Sequence, residues 1–125
     1  DYHCGMESIS QVLGIRGGLT RKAYRDLLSF KKEVDQQFGS RVKSLILFGS
    51  RARLEARVNS DVDIAVILDQ SAAGTAADRI LSKLAYPYLL KGTHIAALSL
   101  SANLKKQAES SFLAHTILHE GLEVV

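Results

Sequence analysis

Gly49, Ser50, Asp61 and Asp63 have the residue types and spacing for chemistry on a phosphate. Asp61 and Asp63 are two apart, so on an extended strand their carboxylates project to the same side. Two like charges ~4 Å apart repel by about 4 kcal/mol at an effective dielectric of about 20, and a divalent cation removes that conflict. Carboxylate oxygens, with water and substrate phosphate in the other positions, are the donor set that magnesium prefers. Gly49 lets a phosphate approach the backbone, and the Ser50 hydroxyl with the amides that follow it offers donors to an anion. Alone, a D-x-D pair reads as solvated carboxylates at a strand start after an Asn-Ser turn. The Gly-Ser pair, separated from Asp61 by the ten residues 51–60, makes the four together a candidate nucleotide site.

These groups meet only if the elements around them bring them together. KSLILF (43–48) is a short apolar run stopped by Gly49 and reads as a buried strand, and DVDIAVIL (61–68) reads as a second. Between them Ser50 caps a short helix, RARLEA (51–56), and RVNS (57–60) is a loop. Upstream, Thr20 caps a helix over 21–38 with Tyr24, Leu27, Leu28, Val34 and Phe38 on its apolar face. Downstream, the spacing predicts a helix over 76–90 whose last turn Pro87 bends or breaks, with Tyr86 and Tyr88 as packing residues. A strand over 94–100, helices over 102–108 and 112–120, and an edge strand over 122–125 complete the order. The expected fold is α/β (α+β): a small mixed sheet of three or four strands with helices packed on it, formed by residues 20–125 after an N-terminal extension, 1–19.

The stretch LFGSRARLEARVNSDVDIAVIL, Leu47 to Leu68, resembles the active-site signature of the polymerase-β-like nucleotidyltransferases, and its G-S, ten residues, D-x-D spacing is similar to that of the minimal nucleotidyltransferases. A looser likeness runs from Leu27 to Val125 and includes the closing FLAHTILHEGLEV. The resemblance implies that Asp61 and Asp63 hold Mg2+, that Gly49 and Ser50 bind nucleotide phosphates, and that Arg51 and Arg53 assist them. It implies transfer of a nucleoside monophosphate, AMP from ATP, to a hydroxyl of a partner protein or small molecule. Many such proteins are antitoxins paired with a HEPN-domain toxin, which is the implied partner. Active members place a third carboxylate on the later strand to help deprotonate the acceptor, yet 94–100 (HIAALSL) holds no acid. Asp69 is six residues beyond Asp63, roughly 20 Å along a strand and too far to share a metal. His94 is a candidate base if the strand register brings it near Asp63. The alternative reading is a catalytically impaired module of the same fold that neutralises a toxin by binding it.

Composition narrows the remaining classes. With 46% apolar and 23% charged residues, the chain suits one compact core, and a disordered or disulfide-dense chain is excluded. Cys4 stands alone, which points to a reducing, cytoplasmic setting. No apolar run is long enough for a membrane span and no leader pattern opens the chain, so neither insertion nor export is expected. Residues 1–5, before Met6, are read as upstream sequence. Sixteen basic against 13 acidic residues give a net charge of +3, too diffuse for direct nucleic-acid binding. His115 and His119 share a helix face without a third ligand, so they read as surface histidines and not as zinc ligands. Ser50 is no hydrolase nucleophile, because Ala52 stands where the G-x-S-x-G elbow needs Gly. Arg51, Arg53 and Arg57 are exposed charges by default, and self-association into a homodimer is a further expectation.

Overall fold

The computed structural model describes residues 7–8, 19–49, 51 and 61–124. In chain order the elements are β1 (Glu7–Ser8), α1 (Arg21–Phe38), a 3-10 turn (Gly39–Arg41), β2 (Val42–Phe48), β3 (Val62–Leu68), α2 (Thr75–Leu90), β4 (Ile95–Ser101), α3 (Leu104–Gln107), α4 (Phe112–Glu120) and β5 (Leu122–Glu123). The five strands form one mixed sheet in the order β1-β5-β2-β3-β4. β2 runs antiparallel to β3 and β5, and β4 runs parallel to β3. The expected sheet is therefore present. Its C-terminal strand is not an edge, because the two residues of β1 pair beyond it.

β2 and β3 are apolar runs because both of their faces are covered. Leu45 and Leu47 of β2, with Val62, Ile64 and Val66 of β3, lie in the larger core cluster with residues of α1 and α2. Ile46, Ala65 and Ile67 pack on the other face with Ala114 and Ile117 of α4. Helix α1 starts where expected, the Thr20 hydroxyl accepting from Ala23 N–H at 3.1 Å. Its buried stripe is Ala23, Leu27, Phe30, Val34 and Phe38, so Phe30 goes to the core while Tyr24 and Leu28 lie at its margin.

Pro87 neither ends α2 nor breaks its last turn; the helix continues to Leu90. Proline costs a backbone hydrogen bond to the residue four back, here Lys83, which is exposed and can turn its carbonyl to water. The turn is also held from inside. Tyr88 is buried, stacks edge-on against Phe30 with ring centroids 6.3 Å apart, and donates its hydroxyl to Glu33 Oε2 at 2.8 Å. Tyr86, expected to pack, is instead 57% exposed. The helix expected over 102–108 shortens to Leu104–Gln107, and Ser111 caps α4 by accepting from Ala114 N–H at 3.2 Å. His115 and His119 are exposed on α4, with ring centroids 4.3 Å apart.

Burial, and then the bond to Glu33, push the Tyr88 hydroxyl up from 10.0 to about 12. The folded chain holds this proton more tightly than the unfolded one. The stability it contributes is therefore complete below pH 10 and is lost as pH rises from about 10 towards 12. Tyr88→Phe is expected to cost about 1 kcal/mol at neutral pH. The gap between the two proteins should close across that alkaline window when urea midpoints are followed against pH. A gap that stays constant up to pH 12 would refute the assignment.

Candidate active site

The register of β2 on β3 sets the geometry. Phe48, the last residue of β2, pairs with Asp63 near the start of β3, so the turn at Gly49 and the start of β3 lie at the same end of the sheet. Asp63 shares its sheet face with Ala65 and Ile67, the α4 side, and Asp61 has the same parity. Asp63 therefore projects beyond the end of the small core on that face, where it stays partly exposed.

Gly49 meets two demands at once. Its φ is +76°, which an L side chain adopts at a cost, and a Cβ there would run into the carboxylate of Asp63. The carboxylate thus lies directly over the Gly49 backbone. Of the four residues singled out from the sequence, Gly49 and Asp63 are brought together here and Asp61 stands just before the strand. Ser50, Arg53 and Arg57 lie outside the described residues, as does the expected short helix beyond Arg51.

β4 starts at this same end because it is parallel to β3, with Val62 paired to Ile95 and Asp63 to Ala96. That register puts His94 beside Asp61. Its Nδ1 lies 2.8 Å from Asp61 Oδ1, each side chain being 51% exposed. His94 and Asp63 line one cavity of about 370 Å3, together with Phe48, Ala96 and Leu98. The position on β4 directly beside Asp63 is Ala96, so no carboxylate reaches the site from that strand. Asp69 is at the opposite end of β3, where its N–H donates to Arg41 O at 3.0 Å and its carboxylate pairs with Lys43 at 3.2 Å.

Thr93 holds the turn that presents His94. Its hydroxyl donates to Asp26 Oδ2 at 2.7 Å, and Lys22 Nζ bonds to both Asp26 (3.0 Å) and Thr93 (3.1 Å). Burial raises the Asp26 pKa, but the bonds from Thr93 and Lys22 outweigh it and hold the carboxyl below 3.8. This polar clip joins α1 to the start of β4, and nothing in the sequence signals it across 67 residues.

Arg51 departs from its default reading as an exposed charge. It is buried, at 6% exposure, which lowers its pKa, while the charge of Asp61 acts to raise it. A guanidinium remains charged after such a shift and is a fixed positive group within electrostatic reach of Asp61. Among the described residues no group of three or more His, Cys, Asp or Glu side chains is arranged to hold a metal. The donors present are the two carboxylates, a set that suits a hard cation completed by water and phosphate and does not suit structural zinc.

The family described as "Nucleotidyltransferase domain" matches residues 27–117. No curated protein matches the chain significantly. Two of the solved structures it resembles are a toxin-antitoxin crystallised with AMP-PNP and a protein from Sulfolobus solfataricus described as a candidate nucleotidyltransferase. The first superimposes with TM-score 0.51 at 18% identity over 80% of this chain and 70% of that one. The second does so with TM-score 0.50 at 17% identity over 85% and 88%. At such identities the likeness concerns the fold.

Gly49→Ala tests the packing of Asp63. The left-handed backbone alone costs an L residue about 1–2 kcal/mol. Gly92, at φ +96° with nothing within 4 Å of the point where a Cβ would sit, supplies the matched control. Gly49→Ala is expected to lower Tm by several degrees more than Gly92→Ala, the excess being the collision with Asp63. Equal losses in the two would show that the carboxylate does not lie over the turn.

Proposed function

The chain belongs to the nucleotidyltransferase-domain family, and on that premise we propose that it transfers a nucleoside monophosphate, AMP from ATP, to a hydroxyl group. The observation that carries this reading is the Asp63 carboxylate packed over the Gly49 backbone, with Asp61 two residues before it at the entrance to β3. Asp61 and Asp63 would hold Mg2+, which supplies charge neutralisation on the triphosphate when bound. His94 Nδ1, 2.8 Å from one oxygen of Asp61, would orient that carboxylate when it carries a proton. In the reaction the acceptor oxygen forms a bond to the α-phosphorus, the bond to pyrophosphate breaks, and the hydroxyl proton passes to solvent.

The toxin-antitoxin likeness supports a toxin partner, and the AMP-PNP in that same crystal supports a nucleotide substrate. A HEPN-type toxin carrying the acceptor hydroxyl is the form of partner that we propose. A second reading, a module that neutralises such a toxin by binding alone, draws on Ala96, which stands beside Asp63 without an acidic group.

Calorimetric titration with Mg2+ and ATP should give binding by the wild-type chain and a loss of roughly a hundredfold or more in Asp61→Ala/Asp63→Ala, the several kcal/mol that a bridging metal contributes. Equal affinities would end the nucleotidyltransferase reading. Incubation with ATP labelled at the α-phosphate and the co-expressed toxin separates the two readings. Label on the toxin supports transfer, and full neutralisation without label supports binding alone.

A further inference from the structure

His115 and His119 stand four residues apart in α4, which runs unbroken from Phe112 to Glu120, so one turn separates them on a single helix face. The backbone is hydrogen-bonded on both sides of them: His115 N–H donates to Ser111 O at 3.0 Å, and Gly121 N–H to Ile117 O at 3.0 Å. Ala114 and Ile117 of the same helix are buried with Ile46, Ala65 and Ile67, which fixes the rotation of α4 on the sheet. Both imidazoles are left exposed.

The two rings are already close, with centroids 4.3 Å apart and planes inclined at 41°. An imidazole bound through nitrogen at ~2.1 Å has its centroid ~3.2 Å from the ion, so two rings on neighbouring positions of one ion have centroids about 4.5–5.2 Å apart, the lower value for a right angle and the upper for a tetrahedral one. The observed separation lies just below the lower value, and exposed side chains rotate readily enough to make up the difference. Among the described residues no third His, Cys, Asp or Glu joins the pair. That absence argues against a closed structural site, in which four protein ligands surround the metal, and fits an open one with water in the remaining positions. Imidazole nitrogen suits Zn2+, Ni2+ and Cu2+, whereas Mg2+ keeps to oxygen, so these donors differ in kind from the carboxylates at the start of β3.

We propose that His115 and His119 chelate a borderline transition-metal dication of the Zn2+ class in an open two-nitrogen site on the outer face of α4. Each neutral ring gives a nitrogen lone pair to the ion and displaces one of its waters. Helix α4 has nine residues, too few to hold helical form alone, and its inner face covers the smaller core on the side of the sheet that carries Asp63. A chelate across one turn fits the helical form and not an unravelled one, so the bound ion stabilises α4 against opening. The site requires neither nucleotide nor nucleotidyl transfer.

The probe is Zn2+ alone, titrated at neutral pH in excess Mg2+ into the isotopically labelled full chain while the imidazole signals are followed by NMR. The signals of His115 and His119 are expected to move together with one midpoint, and Mg2+ by itself should move neither. His3 and His94 give signals of their own, so zinc taken up elsewhere is told apart. His119→Gln should weaken the response of His115 about tenfold or more, and His115→Gln that of His119, since each variant leaves a single nitrogen. Adding Glu120→His to His119→Gln restores the number of histidines at a spacing of five, off the shared face, and should not restore binding. Zn2+ should also raise the Tm of the wild-type chain by a few degrees more than that of either single variant. Both side chains are exposed, so the variants should melt like the wild type without metal. No response from either ring, separate midpoints for the two, a His115 response unchanged by His119→Gln, or recovery with Glu120→His would overturn the proposal.

Discussion

The antiparallel pairing of β2 on β3, in the register that sets Phe48 opposite Asp63, is the constraint from which the rest of the site follows. A slip of one residue would swap the faces of β3 and send Asp61 and Asp63 to the side of Val62 and Ile64, beneath α1 and α2. Two carboxylates would then need to be buried without partners, while Ile64 and Val66 would enter the smaller core on the α4 side. The register is thus enforced by apolar packing on both faces, far along the strand from the groups whose positions it decides. Core and site are specified by the same interaction.

The parallel pairing of β4 adds the second half. Because α2 returns the chain to the end of the sheet where β3 began, the segment before β4 arrives beside Asp61 and not at the Asp69 end. His94 meets Asp61 there, and the Thr93–Asp26–Lys22 clip fastens the approach to α1. Among the described residues no strand pairs with the outer side of β4, where Asp78 of α2 accepts from Ser99 N–H instead. A barrel or a central strand would have closed that edge.

Much of this is legible in the sequence, for identifiable reasons. β2 and β3 can be read because strands covered on both faces must be apolar throughout, and the convergence of Asp63 on Gly49 follows from a short connection between two such runs. The paired carboxylates are legible because strand parity is a local property. What escapes depends on contacts between distant residues. His94 needs the β3–β4 register to find Asp61, and Asp26 needs the whole of α1 packed on the α2–β4 turn. Pro87 reads as a breaker until Tyr88 is seen anchored between Phe30 and Glu33. β1, at two residues, is too short to carry any pattern of its own.

Arg51 shows how far local reading reaches. In sequence it is one of three arginines in a polar stretch, where solvation is the default; in the fold it is 6% exposed and within electrostatic reach of Asp61. Burying a guanidinium is costly unless negative charge answers it, and Asp61 supplies some of that charge. The relation works in both directions. Carboxylates near one another repel, and a buried cation within reach of Asp61 lowers that repulsion within the protein itself. The two carboxylates can therefore stand near one another at the end of the sheet because charge supplied by the chain itself answers part of theirs.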